Sequence, residues 1–242
     1  MEKVIEVEHL KKSFGKNTVL SDISFDLHRG ENMAVLGKSG TGKSVMIKCI
    51  VRLIEPDSGD IRVMGRNVQE LDTDELNEIR KKIGYLFQGG ALYDSMTVRE
   101  NLEFPVRRTQ LYRNKQEMKN MVEEVLDNVG LLDAIDKMPA ELSGGMKKRI
   151  GLARTLIQKP EIILYDEPTT GLDPVTSGEI SELILYVREK YNTSSIIITH
   201  DMKCARMTAD KLKLMADGRF YVEGTFDELK DSEDKEVRSY FT

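Results

Sequence analysis

Tryptophan is missing from this chain of 242 residues, aromatic residues make up 6% of it, and it has two cysteines and six prolines. Cys49 and Cys204 stand far apart with no C-x-x-C spacing. That pattern points away from a disulfide framework or a thiolate metal site and predicts two buried packing residues. No apolar run approaches the about 18 residues that a membrane-spanning helix needs, and Met1-Glu2-Lys3-Val4-Ile5-Glu6 lacks the apolar stretch of a signal peptide. The expectation is a cytoplasmic protein. A net charge of −5 without a concentrated basic run argues against a nucleic-acid partner. Low-complexity segments, solenoid-period repeats and linkers are also lacking. What remains is 40% hydrophobic and 32% charged, an ordinary balance for one substantial core with a small inserted subdomain.

The most informative stretch is Gly37-Lys38-Ser39-Gly40-Thr41-Gly42-Lys43-Ser44, which fits G-x-x-x-x-G-K-[ST]. Its glycines let backbone N–H groups turn inward on a phosphate, and a following helix adds its positive dipole end. Lys43 is placed to reach the β- and γ-phosphates of ATP, and Ser44 to ligate Mg²⁺. The flanks agree: Met33-Ala34-Val35-Leu36 reads as a buried strand, and Val45 to Ile54 has helical apolar spacing. ATP and Mg²⁺ are therefore the expected cofactors, with residues 37 to 45 as the phosphate cradle.

From Lys3 to Leu36 the pattern is strand-like, with Ile23, Phe25 and Leu27 alternating with Ser24 and Asp26, which predicts an antiparallel flank. Later strands are expected at 61–64, 83–87, 162–165 and 195–199, with mostly helix over about 97–157. The predicted fold class is α/β with a mostly parallel core sheet, whose ligands bind at the carboxyl ends of the strands. The residues ending those strands are polar: Gln88, then Asp166 and Glu167, then His200. A carboxylate pair after a buried strand suits phosphoryl transfer to water, Asp166 holding the metal shell and Glu167 orienting the water. His200 is a candidate donor to the γ-phosphate and positioner of Glu167. Gln88, able to donate and accept, is a candidate sensor of the metal and its water.

Ser143 reads as a helix N-cap, with Gly144 and Gly145 in the first turn, so this second helix also offers N–H groups to an anion. The basic residues that follow, Lys147, Lys148 and Arg149, read as a solvated helix face. Leu142-Ser143-Gly144-Gly145-Met146, with its spacing ahead of Asp166-Glu167, resembles the signature motif of the ATP-binding cassette (ABC) ATPases. Gly171-Leu172-Asp173 looks like that family's D-loop, Gln88 its Q-loop and His200 its switch histidine, while Phe14 sits where an aromatic ring stacks on adenine. Met146 replaces the more usual Gln and Phe14 the common Tyr. Neither change removes a group assigned to chemistry.

The resemblance spans the whole chain and implies a P-loop NTPase fold: one cassette over 1–242, a flanking antiparallel β-subdomain, a helical subdomain over about 97–157 and a C-terminal extension from about 225. It implies a head-to-tail homodimer in which Ser143, Gly144, Gly145 and Asp173 of one copy close on ATP held by the other. The wording of 87–105, 138–146 and 237–241 is similar to the ATP-binding subunit of Mla/Mce-type phospholipid transporters. Those systems imply integral-membrane permease subunits, an Mce-domain lipid-binding subunit, a small regulatory subunit, and a place on the inner face of the inner membrane. Other cargoes, amino acids or lipoproteins, remain open. A soluble ABC protein acting on DNA or ribosomes would carry two cassettes or a coiled-coil insertion, and no sustained heptads occur here. A non-hydrolysing scaffold is disfavoured by the intact Lys43, Asp166, Glu167 and His200. At the C-terminus, Val237, Tyr240 and Phe241 share a helix face that must be buried, either on its own domain or, as the resemblance to Mla-type proteins implies, against a neighbouring subunit, so that deleting 233–242 would weaken dimerisation or assembly.

Overall fold

A computed structural model describes residues 2–109 and 111–241. The chain opens with an antiparallel ribbon, β1 (Lys3–Phe14) on β2 (Asn17–His28), in which Ile23, Phe25 and Leu27 point inward as their alternation requires. Then comes β3 (Asn32–Leu36), buried along its whole length, followed by the phosphate loop and α1 (Lys43–Ile50). Next are β4 (Ser58–Val63), β5 (Arg66–Asn67), α2 (Thr73–Lys81) and β6 (Ile83–Leu86). Helices α3 (Val98–Thr109), α4 (Lys115–Asn128) and α5 (Gly144–Leu156) precede β7 (Ile162–Asp166), α6 (Pro174–Tyr191) and β8 (Ser194–Ile198). The chain continues through α7 (Met202–Thr208), β9 (Lys211–Ala216), β10 (Arg219–Gly224), α8 (Phe226–Lys230) and α9 (Lys235–Arg238).

The described strands form one sheet in the order β5-β4-β1-β2-β10-β9-β3-β8-β7-β6. From β9 to β6 neighbours run parallel, while β1, β2, β4 and β5 pair antiparallel at the other end. Parallel strands buried on both faces must be apolar throughout, and the period of two divides their side chains between two cores. Ile162 and Leu164 of β7, with Ile196 and Ile198 of β8, join the antiparallel ribbon and α1. Ile163, Tyr165 and Ile197 face α3 to α6 instead. Cys49 and Cys204 sit one in each core as free thiols, the packing role expected of them.

Three details depart from the sequence reading or narrow it. Helix α1 stops at Ile50 rather than Ile54 because Arg52 takes φ 51° and closes a Schellman turn, Leu53 N donating to Lys48 O at 2.8 Å and Arg52 N to Cys49 O at 2.9 Å. Strands β9 and β10 were not foreseen, since Lys211 and Lys213 interrupt the apolar pattern; Lys213 is nonetheless buried and ion-paired with Glu223. The third lies in the C-terminal segment. Its apolar face is already covered by its own chain: Val237 is 1% exposed against Leu36, Ala205, Leu212, Leu214 and Leu229, and the Phe241 ring meets Phe226 edge-on at 5.2 Å. Of the two coverings expected for this face, its own domain is the one observed, and no neighbouring subunit is needed to bury it. Val237→Ala is accordingly expected to lower unfolding free energy by about 2 kcal/mol, read by denaturant titration.

Candidate functional site

Because β3, β6, β7 and β8 run parallel, their carboxyl ends share one edge, and the loops leaving that edge carry the phosphate loop, Gln88, Asp166-Glu167 and His200. A cleft of about 760 Å³ opens there, lined by Phe14, Val19, the loop residues Gly37 to Gly40 and Gly42 to Val45, Gln88, Glu167 and His200. Thr41 points into its own loop, donating to Lys38 O at 3.0 Å. Gly42 is the N-cap of α1 with φ 102°, and a Cβ there would lie 2.8 Å from Val19 O, so the loop's path excludes any side chain at this position. No acidic residue occupies the first turn of α1, leaving the helix dipole to an anionic ligand.

Lys43 is 7% exposed and donates to Gly37 O at 2.7 Å and Lys38 O at 2.9 Å. Burial pulls its pKa down while Glu167 and Asp166 hold it up. Ser44 Oγ donates to Asp166 Oδ1 at 2.7 Å, so the loop hydroxyl and the buried strand-end carboxylate converge on one point. Tyr85 OH donates to Asp166 Oδ2 at 3.1 Å, and burial with the neighbouring carboxylate pushes its pKa up, which keeps the phenol a donor. These are hard oxygen donors of the kind Mg²⁺ takes. Among the described residues no cluster of three or more His, Cys, Asp or Glu could hold a metal, and Mg²⁺ at a phosphate site needs none, taking most ligands from phosphate and water.

Glu167 follows Asp166 with φ 55°, a left-handed conformation that turns its side chain out of the strand toward the cleft. Its Oε2 accepts from Thr170 Oγ1 at 2.8 Å and lies 2.7 Å from His200 Nδ1. The carboxylate is thus oriented by two groups while facing the phosphate loop, the arrangement of a held general base.

Ser143, Gly144, Gly145 and Asp173 are not brought to this cleft within the chain. Ser143 caps α5 through Met146 N at 3.2 Å, and Ser143 and Gly144 are exposed, presenting a helix N-terminus to the surroundings. Gly145 is buried, and a Cβ there would lie 2.5 Å from Thr176 Cγ2, so its smallness packs α5 on α6. Asp173 caps α6, accepting from Val175 N and Thr176 N at 3.0 Å each and from Thr176 Oγ1 at 2.6 Å. The basic run after the signature is not a solvated face. Lys148 is 6% exposed and donates to Thr170 O at 2.6 Å and Glu167 O at 3.2 Å, while Arg149 pairs with Glu179 at 2.5 Å. Helix α5 lies against the loop after β7, and this leaves the lysine no route to water.

Sequence reasoning missed Tyr85, Lys148, Thr170 and Arg154. Arg154 donates to Ala91 O at 2.7 Å, and its guanidinium sits 5.7 Å over the Tyr93 ring, clasping the loop after Gln88 to α5. Tyr85 alone gave a signal, as the one polar-tipped residue of β6.

A nucleotide cleft of this construction, at the switch edge of a mostly parallel sheet with an acid pair and a histidine facing it, defines a P-loop α/β nucleotide hydrolase. Residues 20–170 match the family model described as ABC transporter, and the chain belongs to that family as an ATP-binding, ATP-hydrolysing subunit. It is 39% identical over 236 residues to "Probable ribonucleotide transport ATP-binding protein mkl" of Mycobacterium leprae, covering 98% of this chain and 68% of that protein. It is 36% identical over 237 residues to "Intermembrane phospholipid transport system ATP-binding protein MlaF" of Haemophilus influenzae, covering 98% and 89%. "Methionine import ATP-binding protein MetN" of Rhizobium johnstonii is 38% identical over 223 residues, covering 92% of this chain and 61% of that protein. The dimeric ABC cassette MJ0796 in a post-hydrolysis state with ADP and Pi superposes with TM-score 0.83 at 30% identity, covering 92% of this chain and 98% of that one. The cbiO1 protein of Clostridium perfringens, part of the transporter complex cbiONQ, superposes with TM-score 0.86 at 27% identity, covering 99% and 94%.

Proposed function

We propose that this chain drives a membrane permease that moves phospholipid between the inner and outer membranes of a bacterium, ATP being closed between two copies arranged head to tail. Glu167, held by Thr170 and His200 across from the phosphate loop, is the observation that carries the hydrolytic half of this reading. Gly37 to Val45 cradle the phosphates, Lys43 neutralises them, and Phe14, 49% exposed at the rim, stacks on the base. Ser44 and Asp166, with Gln88 beside them, would hold Mg²⁺, which when bound neutralises charge on the β- and γ-oxygens. Ser143, Gly144, Gly145 and Asp173 act on the partner's nucleotide, the exposed N-terminus of α5 supplying N–H groups to its γ-phosphate. The working unit is one cassette over 1–242, with residues 97–157 as the helical subdomain and 225–242 as the C-terminal extension.

Among the described residues no helix is long and apolar enough to cross a membrane, so contact with the bilayer is assigned to permease subunits meeting the 87–105 segment from the cytoplasmic side. Tyr93, 46% exposed and meeting the Phe104 ring edge-on at 5.1 Å, is the apolar element it offers. An Mce-domain subunit and a small regulator complete the proposed assembly. The phospholipid cargo rests on the alignment with MlaF, which extends well beyond the motifs every cassette shares. Similar identities to proteins named for methionine and ribonucleotide transport favour a second reading, the same machine with another cargo. The chain isolated from membranes with its permease and reconstituted in vesicles separates the two. ATP-dependent transfer of a fluorescent phospholipid supports the first. Stimulation of ATPase activity by methionine or a nucleotide, with no lipid transfer, supports the second.

A further inference from the structure

The signature helix reaches the catalytic loop of its own chain through one buried charge. Residues 167 to 170 form a tight turn closed by Thr170 N donating to Glu167 O at 3.3 Å, and Glu167 N is fixed to Ile198 O at 2.9 Å. Glu167 sits at φ 55°, a conformation that a non-glycine residue adopts only when its surroundings hold it there. The Glu167 and Thr170 carbonyls of this turn can each accept a further hydrogen bond. Lys148 supplies that bond to both: its ammonium donates to Thr170 O at 2.6 Å and Glu167 O at 3.2 Å, and Lys148 is not among the residues lining the cleft. Both ends of the turn are therefore tied to α5, and Thr170, one of the two residues so held, also grips the Glu167 carboxylate.

We propose that Lys148 is a positioning residue for hydrolysis, fixing the left-handed turn that aims Glu167 at the phosphate cleft, and that it makes the signature helix and the general base one rigid unit. The inference rests on Glu167 being the base. Four residues separate Ser143, at the exposed start of α5, from Lys148, so a shift of the helix when its N-terminus meets an anion is carried directly to the turn. An apolar residue here would take the side-chain donor from both carbonyls, leaving Glu167 O only the 3.3 Å bond from Thr170 N. A buried lysine is otherwise a poor choice, because burial disfavours its charge and draws its pKa down to about 8 despite the pull of Glu167.

The test compares Lys148→Met, which keeps the bulk and loses the donor, with Lys148→Gln, which keeps an N–H donor on a slightly shorter stem, and with Glu167→Gln. Lys148→Met is expected to bind ATP and ADP within about twofold of the unmodified chain but to lose roughly 10- to 100-fold in kcat, the scale of a misaimed catalytic group. Amide hydrogen exchange across 167–171, measured without nucleotide, is expected to accelerate in Lys148→Met. Lys148→Gln is expected to recover part of both losses. Unchanged kcat and unchanged exchange in Lys148→Met overturn the proposal, as does equal loss of nucleotide binding and hydrolysis in both lysine variants, which marks a merely structural role. If Lys148→Met fails to unfold cooperatively, Lys148→Gln alone decides, through its kcat against its ATP affinity. Hydrolysis retained by Glu167→Gln refutes the base assignment instead, and the exchange result then still reports whether Lys148 fixes the turn.

Discussion

Replacing Glu167 with Gln is expected to leave ATP binding intact and to cut hydrolysis by roughly 10² or more, the contribution of a positioned general base. The reason is local. Glu167 Oε2 is held at 2.8 Å from Thr170 Oγ1 and 2.7 Å from His200 Nδ1, so the amide of Gln occupies nearly the same place while losing the basicity that polarises water. The phosphate cradle, built from residues 37 to 45, does not depend on that carboxylate. Equilibrium titration with ATP and steady-state phosphate release measure the two halves separately, and turnover near that of the unmodified chain rules Glu167 out as the base.

Lys43→Ala is expected to act on the other half. Lys43 is 7% exposed and lines the cleft, its ammonium held by Gly37 O and Lys38 O, and in the proposed function it is the fixed positive charge that a polyphosphate meets. Removing it takes charge from the ground-state complex, and ATP affinity is expected to fall by roughly 10- to 100-fold, the scale of hydrogen bonds to a charged group. Affinity for adenosine, which has no phosphate to lose, is expected to change little. Equal losses for ATP and adenosine would show a collapsed loop in place of a missing charge.

The residues whose chemistry dictates their type were legible in the sequence. Gly42 must be glycine because a Cβ there would lie 2.8 Å from Val19 O, and the motif records that constraint. The placing of Asp166, Glu167 and His200 at one edge could be read because parallel strands bring their carboxyl ends together, and buried strands announce themselves as apolar runs. Positions set by tertiary approach were not legible. Lys148 reads as one more surface cation until α5 is laid against the loop after β7, and nothing in Lys147-Lys148-Arg149 distinguishes the buried member. The early end of α1 depends on Arg52 taking a conformation usually left to glycine, a tertiary override of local preference. The cover of the tail stayed open for the converse reason: its apolar stripe was correctly seen, but a stripe does not state what covers it.

The central claim is that each ATP site is shared, with the phosphate loop of one copy closed by the start of α5 of the other. Gly144 is the position to probe, since its Cβ would make an ordinary 3.5 Å contact with Leu172, whereas any Cβ at Gly145 meets Thr176 Cγ2 at 2.5 Å. A carboxylate in the first turn of α5 suits that helix's own dipole while repelling a phosphate facing it. The decisive measurement is the number of ATP molecules retained per closed dimer when a Lys43→Ala copy is paired with a Gly144→Asp copy. Sites built across the interface place both lesions in one site and leave the other whole, so one ATP per dimer is expected. Sites built within each copy carry one lesion apiece, and a mixed dimer that neither closes nor retains ATP would contradict the shared arrangement.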